Sequence, residues 1–197
     1  MDAVRVSALS ESLAGTGWIE RTRSFAGALR RSVTRRRTAG GLLLVGTARY
    51  EPWHLAAHLE DEAAWSDVPR LAPTLLRHRV PEGAPAHLAQ GLRRLAAARR
   101  GATVLVVAPA EAGTPLLERL CDARRGGATV LALDTGDREL AGLAHESLTV
   151  PGAEDEPFEL VQHLVSAAAG AAPARRGGAA PVARLLRRLT AAPVARW

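Results

Sequence analysis

Apolar positions in this chain fall into short runs separated by longer stretches of helical spacing. The runs are GLLLVG (41–46), TLLRHRV (74–80), 103–108, 129–134 and 147–150, most of them bounded by glycine. Apolar runs joined by helical segments predict parallel strands buried on both faces. The words repeat as well: GATV at 101–104 and GGATV at 126–130 open two successive strands. TLLRHRV is the most polar run and is expected at a sheet edge.

Between these runs the spacing predicts helices. Two come first, over 3–14 and 18–37, the second with Trp18, Ile19, Phe25, Leu29 and Val33 at helical spacing and Gly40-Gly41 as its stop. Pro52 starts another that reaches about Trp65, since proline suits the first turn of a helix. Pro85 to Arg100 reads as helical, with Leu88, Leu92 and Leu95 on one face. Further helices are expected over 115–125 and 137–143, and from Pro157 to about Ala169. Fivefold alternation of strand and helix predicts an α/β fold, a three-layer doubly wound sheet of about five parallel strands. Right-handed crossovers give the order 2-1-3-4-5.

That order locates a candidate site. Ligands of open α/β sheets bind at the carboxyl ends of the strands, where the strand order reverses. Here the crevice falls between the first and third strands. It would be lined by Gly46, Thr47, Ala48, Arg49 and Tyr50 on one side and by Ala108–Thr114 on the other, with Glu111 and Gly113 in the second loop. Each loop feeds a helix N-terminus, which attracts anions, and Arg49 adds a positive charge suited to phosphate or carboxylate. Thr114 before Pro115 is expected to be an N-cap. Asp134 and Thr135 end the fourth strand at the same edge.

Composition changes this picture in two places. Among the 197 residues, 26 are arginine and none is lysine, for a net charge of +6. Residues 1–40 carry eight arginines against three acids, 41–170 twelve against seventeen, and 171–197 six against none. The middle is therefore acidic, so nucleic-acid binding is not expected of it, and the basic ends are expected to be solvated. The single cysteine, Cys121, excludes an internal disulfide and fits a reducing, cytoplasmic setting. It shares helical spacing with Leu116, Leu117 and Leu120 and is expected in the core. No uncharged apolar run of about 18 residues is present, and the N-terminus lacks a secretory pattern.

The segment AGTPLLERLCDARRGGATVLALDTGDRELAGLAHESLTVP, together with GLLLVGTARYEPWHLAAHLEDEAAW, resembles the sugar isomerase (SIS) domain. The matching positions are Thr114, Gly127-Ala128, Leu140–His145 and Val150-Pro151, and the resemblance covers about residues 41–168. It implies a doubly wound fold, a phosphosugar ligand and a homo-oligomer, with no cofactor. The phosphate loop of that family is typically Ser-x-Ser-Gly-x-Thr. Counting back from Thr114, its serine positions hold Pro109 and Glu111, and its glycine is displaced to Gly113. Proline removes a donor, and a carboxylate repels phosphate. His145 stands where the family has aspartate. The resemblance thus implies a divergent domain that binds a small anionic ligand, in a sensing or regulatory role without catalysis.

Candidate catalytic and metal-binding residues are few. Glu154, Asp155 and Glu156 follow the last strand, with His163 nearby, and Glu154 or Glu156 is a candidate base for aldose–ketose isomerisation. A solvated helix start accounts for the same acids. His54 and His58 stand at i and i+4 on one helix face, and with Asp61 or Glu62 they form a candidate metal site. The chain divides into N-terminal helices (1–40), an α/β domain (41–169), a linker (170–181) and a basic amphipathic tail (182–197). In that tail Arg184, Arg187 and Arg188 alternate with Leu185, Leu186 and Leu189. The tail supports an alternative reading, in which the chain is an interaction module with a vestigial pocket that docks through its arginine-rich ends onto a partner or an anionic surface.

Overall fold

A computed structural model describes residues 17–34, 41–86, 88–150 and 157–171. The expected helix over 3–14, the acids at 154–156, the tail at 182–197 and most of the linker lie outside the described residues. The elements in order are α1 (Trp18–Thr34), β1 (Leu42–Val45), α2 (Trp53–Trp65), β2 (Pro73–Leu76), α3 (Arg93–Ala96), β3 (Thr103–Ala108), α4 (Thr114–Arg125), β4 (Thr129–Asp134), α5 (Arg138–Leu143), β5 (Glu146–Thr149) and α6 (Pro157–Gly170). The five strands form one parallel sheet in the order β2-β1-β3-β4-β5. This is the expected α/β architecture, with the more polar β2 at an edge.

The alternation of side chains along each strand sorts the core into two layers. On one face Leu42, Leu44, Leu105, Val107, Leu131, Leu133 and Leu148 pack with Trp18, Phe25 and Leu29 of α1, Leu55 and Leu59 of α2, and Val161 and Val165 of α6. On the other, Leu43, Val45, Val104, Val106, Val130 and Ala132 meet Leu95 of α3, Leu116 and Leu120 of α4 and Leu140 of α5. β1 and β3 are buried along their whole length, as strands covered twice must be. Cys121, expected in the core, is only half-buried. Among the described residues no helix is long and apolar enough to cross a membrane.

Helix α1 belongs to this core. It packs against α6, and its Arg30 Nη1 donates to the carbonyls of Ala169, Gly170 and Ala171 at 2.9, 3.0 and 3.1 Å. These carbonyls close the C-terminus of α6, where the dipole favours a cation. The α1–α6 pair therefore joins segments about 140 residues apart.

The expected helix from Pro85 to Arg100 is the main departure. Within it only Arg93–Ala96 is helical, while the backbone before it turns. Arg77, just past β2, donates its N–H to the Gln90 carbonyl at 2.8 Å and bridges to Gly91 in parallel fashion. The Gln90-Gly91 backbone is thereby committed to the edge of the sheet, and the leucine spacing is overridden by this pairing.

If α1 is part of the core rather than an appendage, Phe25→Ala should destabilise the whole domain by about 3–5 kcal/mol. Urea unfolding followed by circular dichroism checks it: a single transition at lower denaturant is expected, and a change confined to a minor early phase would contradict the packing.

Candidate functional site

The loops after β3 and β4 face each other at the carboxyl edge of the sheet. Gly113 adopts φ 74°, a left-handed conformation that favours glycine, and is itself the N-cap of α4. Thr114 is therefore the first helical residue rather than the cap expected from the Thr-Pro pair. One carboxylate ties the two loops together. Asp137 Oδ2 accepts from the Ala112 N–H at 2.9 Å, and its Oδ1 accepts from the Glu139 and Leu140 N–H groups at 3.0 Å each, capping α5. The Thr135 hydroxyl donates to the Pro109 carbonyl at 3.1 Å.

Between these loops lies an open cavity of about 790 Å³, with Glu111, Gly113 and Thr114 on one wall and Thr135–Glu139 on the other. Its charged side chains are three acids, Glu111, Asp137 and Glu139, and one cation, Arg138. Of the residues expected from the sequence, Glu111, Gly113 and Thr114 meet here. Gly46, Thr47, Ala48 and Arg49 do not line this cavity. Asp134 lies beneath the wall, fully buried, where Oδ1 accepts from the Gly136 N–H at 2.7 Å and the Thr149 hydroxyl at 3.2 Å. Its Oδ2 has no hydrogen-bond partner among the described residues. Burial pushes the carboxyl above its ordinary value of 3.8, while the Gly136 and Thr149 donors oppose that rise.

The loop after β1 is a separate, closed structure. The Tyr50 N–H donates to the Thr47 carbonyl at 3.2 Å, so the loop turns back on itself and leaves Ala48 and Arg49 exposed at its tip. Gly46 is fixed by close approach, because a Cβ there would collide with the Tyr50 carbonyl. His78 bonds the Gly46 carbonyl at 2.9 Å. Below the tip, Glu51 receives Arg77 through both carboxylate oxygens, with Arg77 Nη2 at 3.0 Å and its guanidinium 5.2 Å from the Trp53 ring centroid. Tyr50 accepts from Gln162 Nε2 at 2.9 Å and is raised in pKa by burial.

Helices α2 and α6 bring three histidines together. His54 Nε2 lies 2.8 Å from His163 Nε2, a hydrogen bond in which one ring donates and the other accepts. The His58 ring centroid is 3.7 Å from that of His163 and 4.6 Å from that of His54. Burial pushes His163 down to about 4, helped by the charges of His58 and His54. His58 is also lowered, by burial and by His54, against the pull of Asp61. The pair His54 and His58 was legible from its spacing, whereas Asp61 and Glu62 give way to His163 as the third member of the group. A histidine on another helix, 109 residues away, leaves no spacing signal. The cavity residues Asp137 and Arg138 were also missed, although an aspartate opening a helical stretch is a readable N-cap signal.

No protein-family model matches the chain, and no curated protein matches it. Among solved structures, the chain is similar to the sugar isomerase domain of the RpiR transcription factor from Sphaerobacter thermophilus. Identity there is 17%, coverage 95% of both chains and the TM-score 0.52. It is also similar to the Vibrio vulnificus NanR protein complexed with ManNAc-6P, with 15% identity over 94% of this chain and 67% of that chain, at a TM-score of 0.42. The chain thus has the fold of a sugar isomerase domain, and the resemblance seen in the sequence holds at the level of the fold.

Two predictions follow from the carboxylates at this edge. Asp137→Ala removes a cap and the brace between the loops, and should cost about 1–3 kcal/mol. Urea unfolding checks the cost, and faster hydrogen exchange at the Ala112 amide checks the loosened loop. Asp134 holds its proton more tightly folded than unfolded, so its contribution is full at low pH and declines as pH rises through its folded-state pKa. Asp134→Asn should remove that decline as pH rises above about 4, and stability measured against pH in both proteins checks it.

Proposed function

We propose that the chain is a ligand-sensing domain of the sugar isomerase fold, one that binds a small anionic sugar derivative without transforming it. The carrying observation is the cavity between the loops after β3 and β4, at the carboxyl edge of the sheet and one strand away from the β1–β3 switch point where a ligand is expected. Its polarity is divided. The N-terminus of α4 on one wall and Arg138 on the other supply positive potential, suited to phosphate or carboxylate. Glu111 and Glu139 supply carboxylates that accept from hydroxyls. A sugar phosphate has both kinds of group, and a bare anion has only one.

Two further points support binding without turnover. Glu111 and Pro109 stand where the family's phosphate loop has serines, so an anion here is held by fewer donors than in that loop. The fold also serves a transcription factor, a precedent for a binding role.

Thermal unfolding of the full chain against sugar phosphates, the same sugars without phosphate, and inorganic phosphate tests this. A ligand at about 100 times its Kd adds about 2.7 kcal/mol, a shift of several degrees for a domain of this size. A sugar phosphate is expected to raise the midpoint, inorganic phosphate less, and Arg138→Ala should reduce the shift. No response to any phosphorylated sugar would overturn the reading and favour an interaction module that docks through the arginine-rich ends, Arg184, Arg187 and Arg188 included.

A further inference from the structure

We propose that His54, His58 and His163 form a binding site for a divalent transition-metal ion of the zinc class, joining α2 to α6. None of the three lines the sugar-ligand cavity, so the site is independent of the function proposed above.

Their donor nitrogens all lie within 4.8 Å of one another. A tetrahedral zinc ion with Zn–N bonds of about 2.0–2.1 Å holds its nitrogens about 3.3 Å apart. One pair, at 2.8 Å, is about half an ångström closer than that spacing, and the outer limit of 4.8 Å exceeds it by about 1.5 Å. Closing the site therefore calls for rotation of the imidazoles about their side-chain torsions. The helices themselves are fixed from behind by Leu55, Leu59, Val161 and Val165 in the core.

The chemistry of the group is otherwise awkward. In the shared His54–His163 hydrogen bond one ring gives up its lone pair, and the His58 ring lies tilted against both. Neutral imidazole is the form that binds metal. Imidazole suits zinc, copper and nickel ions rather than magnesium or calcium. Two acids stand at the margin. Glu159 Oε2 lies 3.9 Å from His54 Nδ1, and Asp61 acts on His58. Carboxylates placed behind metal-bound histidines orient the rings and raise their basicity. Three histidines leave a fourth position for water in a four-coordinate ion.

The test uses the full chain, stripped with EDTA, dialysed and titrated with zinc chloride by calorimetry. One zinc ion per chain is expected. Cobalt(II) chloride should give the strong visible absorption of a four-coordinate ion. His54→Gln, His58→Gln and His163→Gln should each weaken zinc binding by about a hundredfold or more, since even outer partners of a metal site cost 10–100-fold. Unfolding of each variant in EDTA establishes that it is folded, and His163→Phe, which keeps the ring volume, replaces any that is not. Failure to bind zinc, or zinc binding unchanged in the triple variant, would overturn the proposal.

Discussion

A parallel sheet whose central strands are apolar on both faces has to be covered twice, and the rest of this structure follows from how that cover is assembled. One face is covered locally, by α3, α4 and α5, which lie near the strands they connect. The other draws α1, α2 and α6 from the full span of the domain. Those three helices must pack on each other as well as on the sheet, and their mutual contacts produce the features of that side. They include the Arg30 grip on the end of α6 and the meeting of the histidines.

The same constraint leaves the carboxyl ends of the strands as the place where backbone geometry is free to serve a ligand. There the protein uses acids in two different ways. Asp137 is consumed by backbone N–H groups from both loops and sets their separation. Glu111 and Glu139 face the cavity. Counting acids alone would make the crevice hostile to anions. Setting the bound carboxylate apart leaves two open acids, Glu111 and Glu139, and one cation, Arg138, on the cavity.

Strands and their order were legible because parallel strands buried twice are continuous apolar runs. β3 and β4 have the bounds read from their valine and leucine runs, and α4 begins one residue before the expected 115. Leucine spacing predicts a helix over 85–100 because it cannot report that the Gln90 carbonyl and Gly91 are claimed by Arg77, just past the edge strand. Thr114 was placed as a cap because Thr-Pro is a good helix start. The left-handed Gly113 takes that position instead, and only backbone geometry displays it. Within the candidate site, single-loop residues such as Glu111 and Gly113 could be named in advance. What spacing could not supply was the pairing of distant groups: Ala112 with Asp137, and His54 with His163.

The clasp of Arg30 on the last carbonyls of α6 also bears on how the chain acquires its fold. Synthesis delivers α1 early and α6 some 139 residues later. Through that interval Trp18, Phe25 and Leu29 lack the helix that shields them. The domain therefore cannot mature progressively from its first residues onward. Long-range closure of this kind slows folding, because chain entropy is lost before the contacts that reward it are made. An incomplete nascent chain presents an unshielded apolar helix, the kind of surface that holding chaperones recognise.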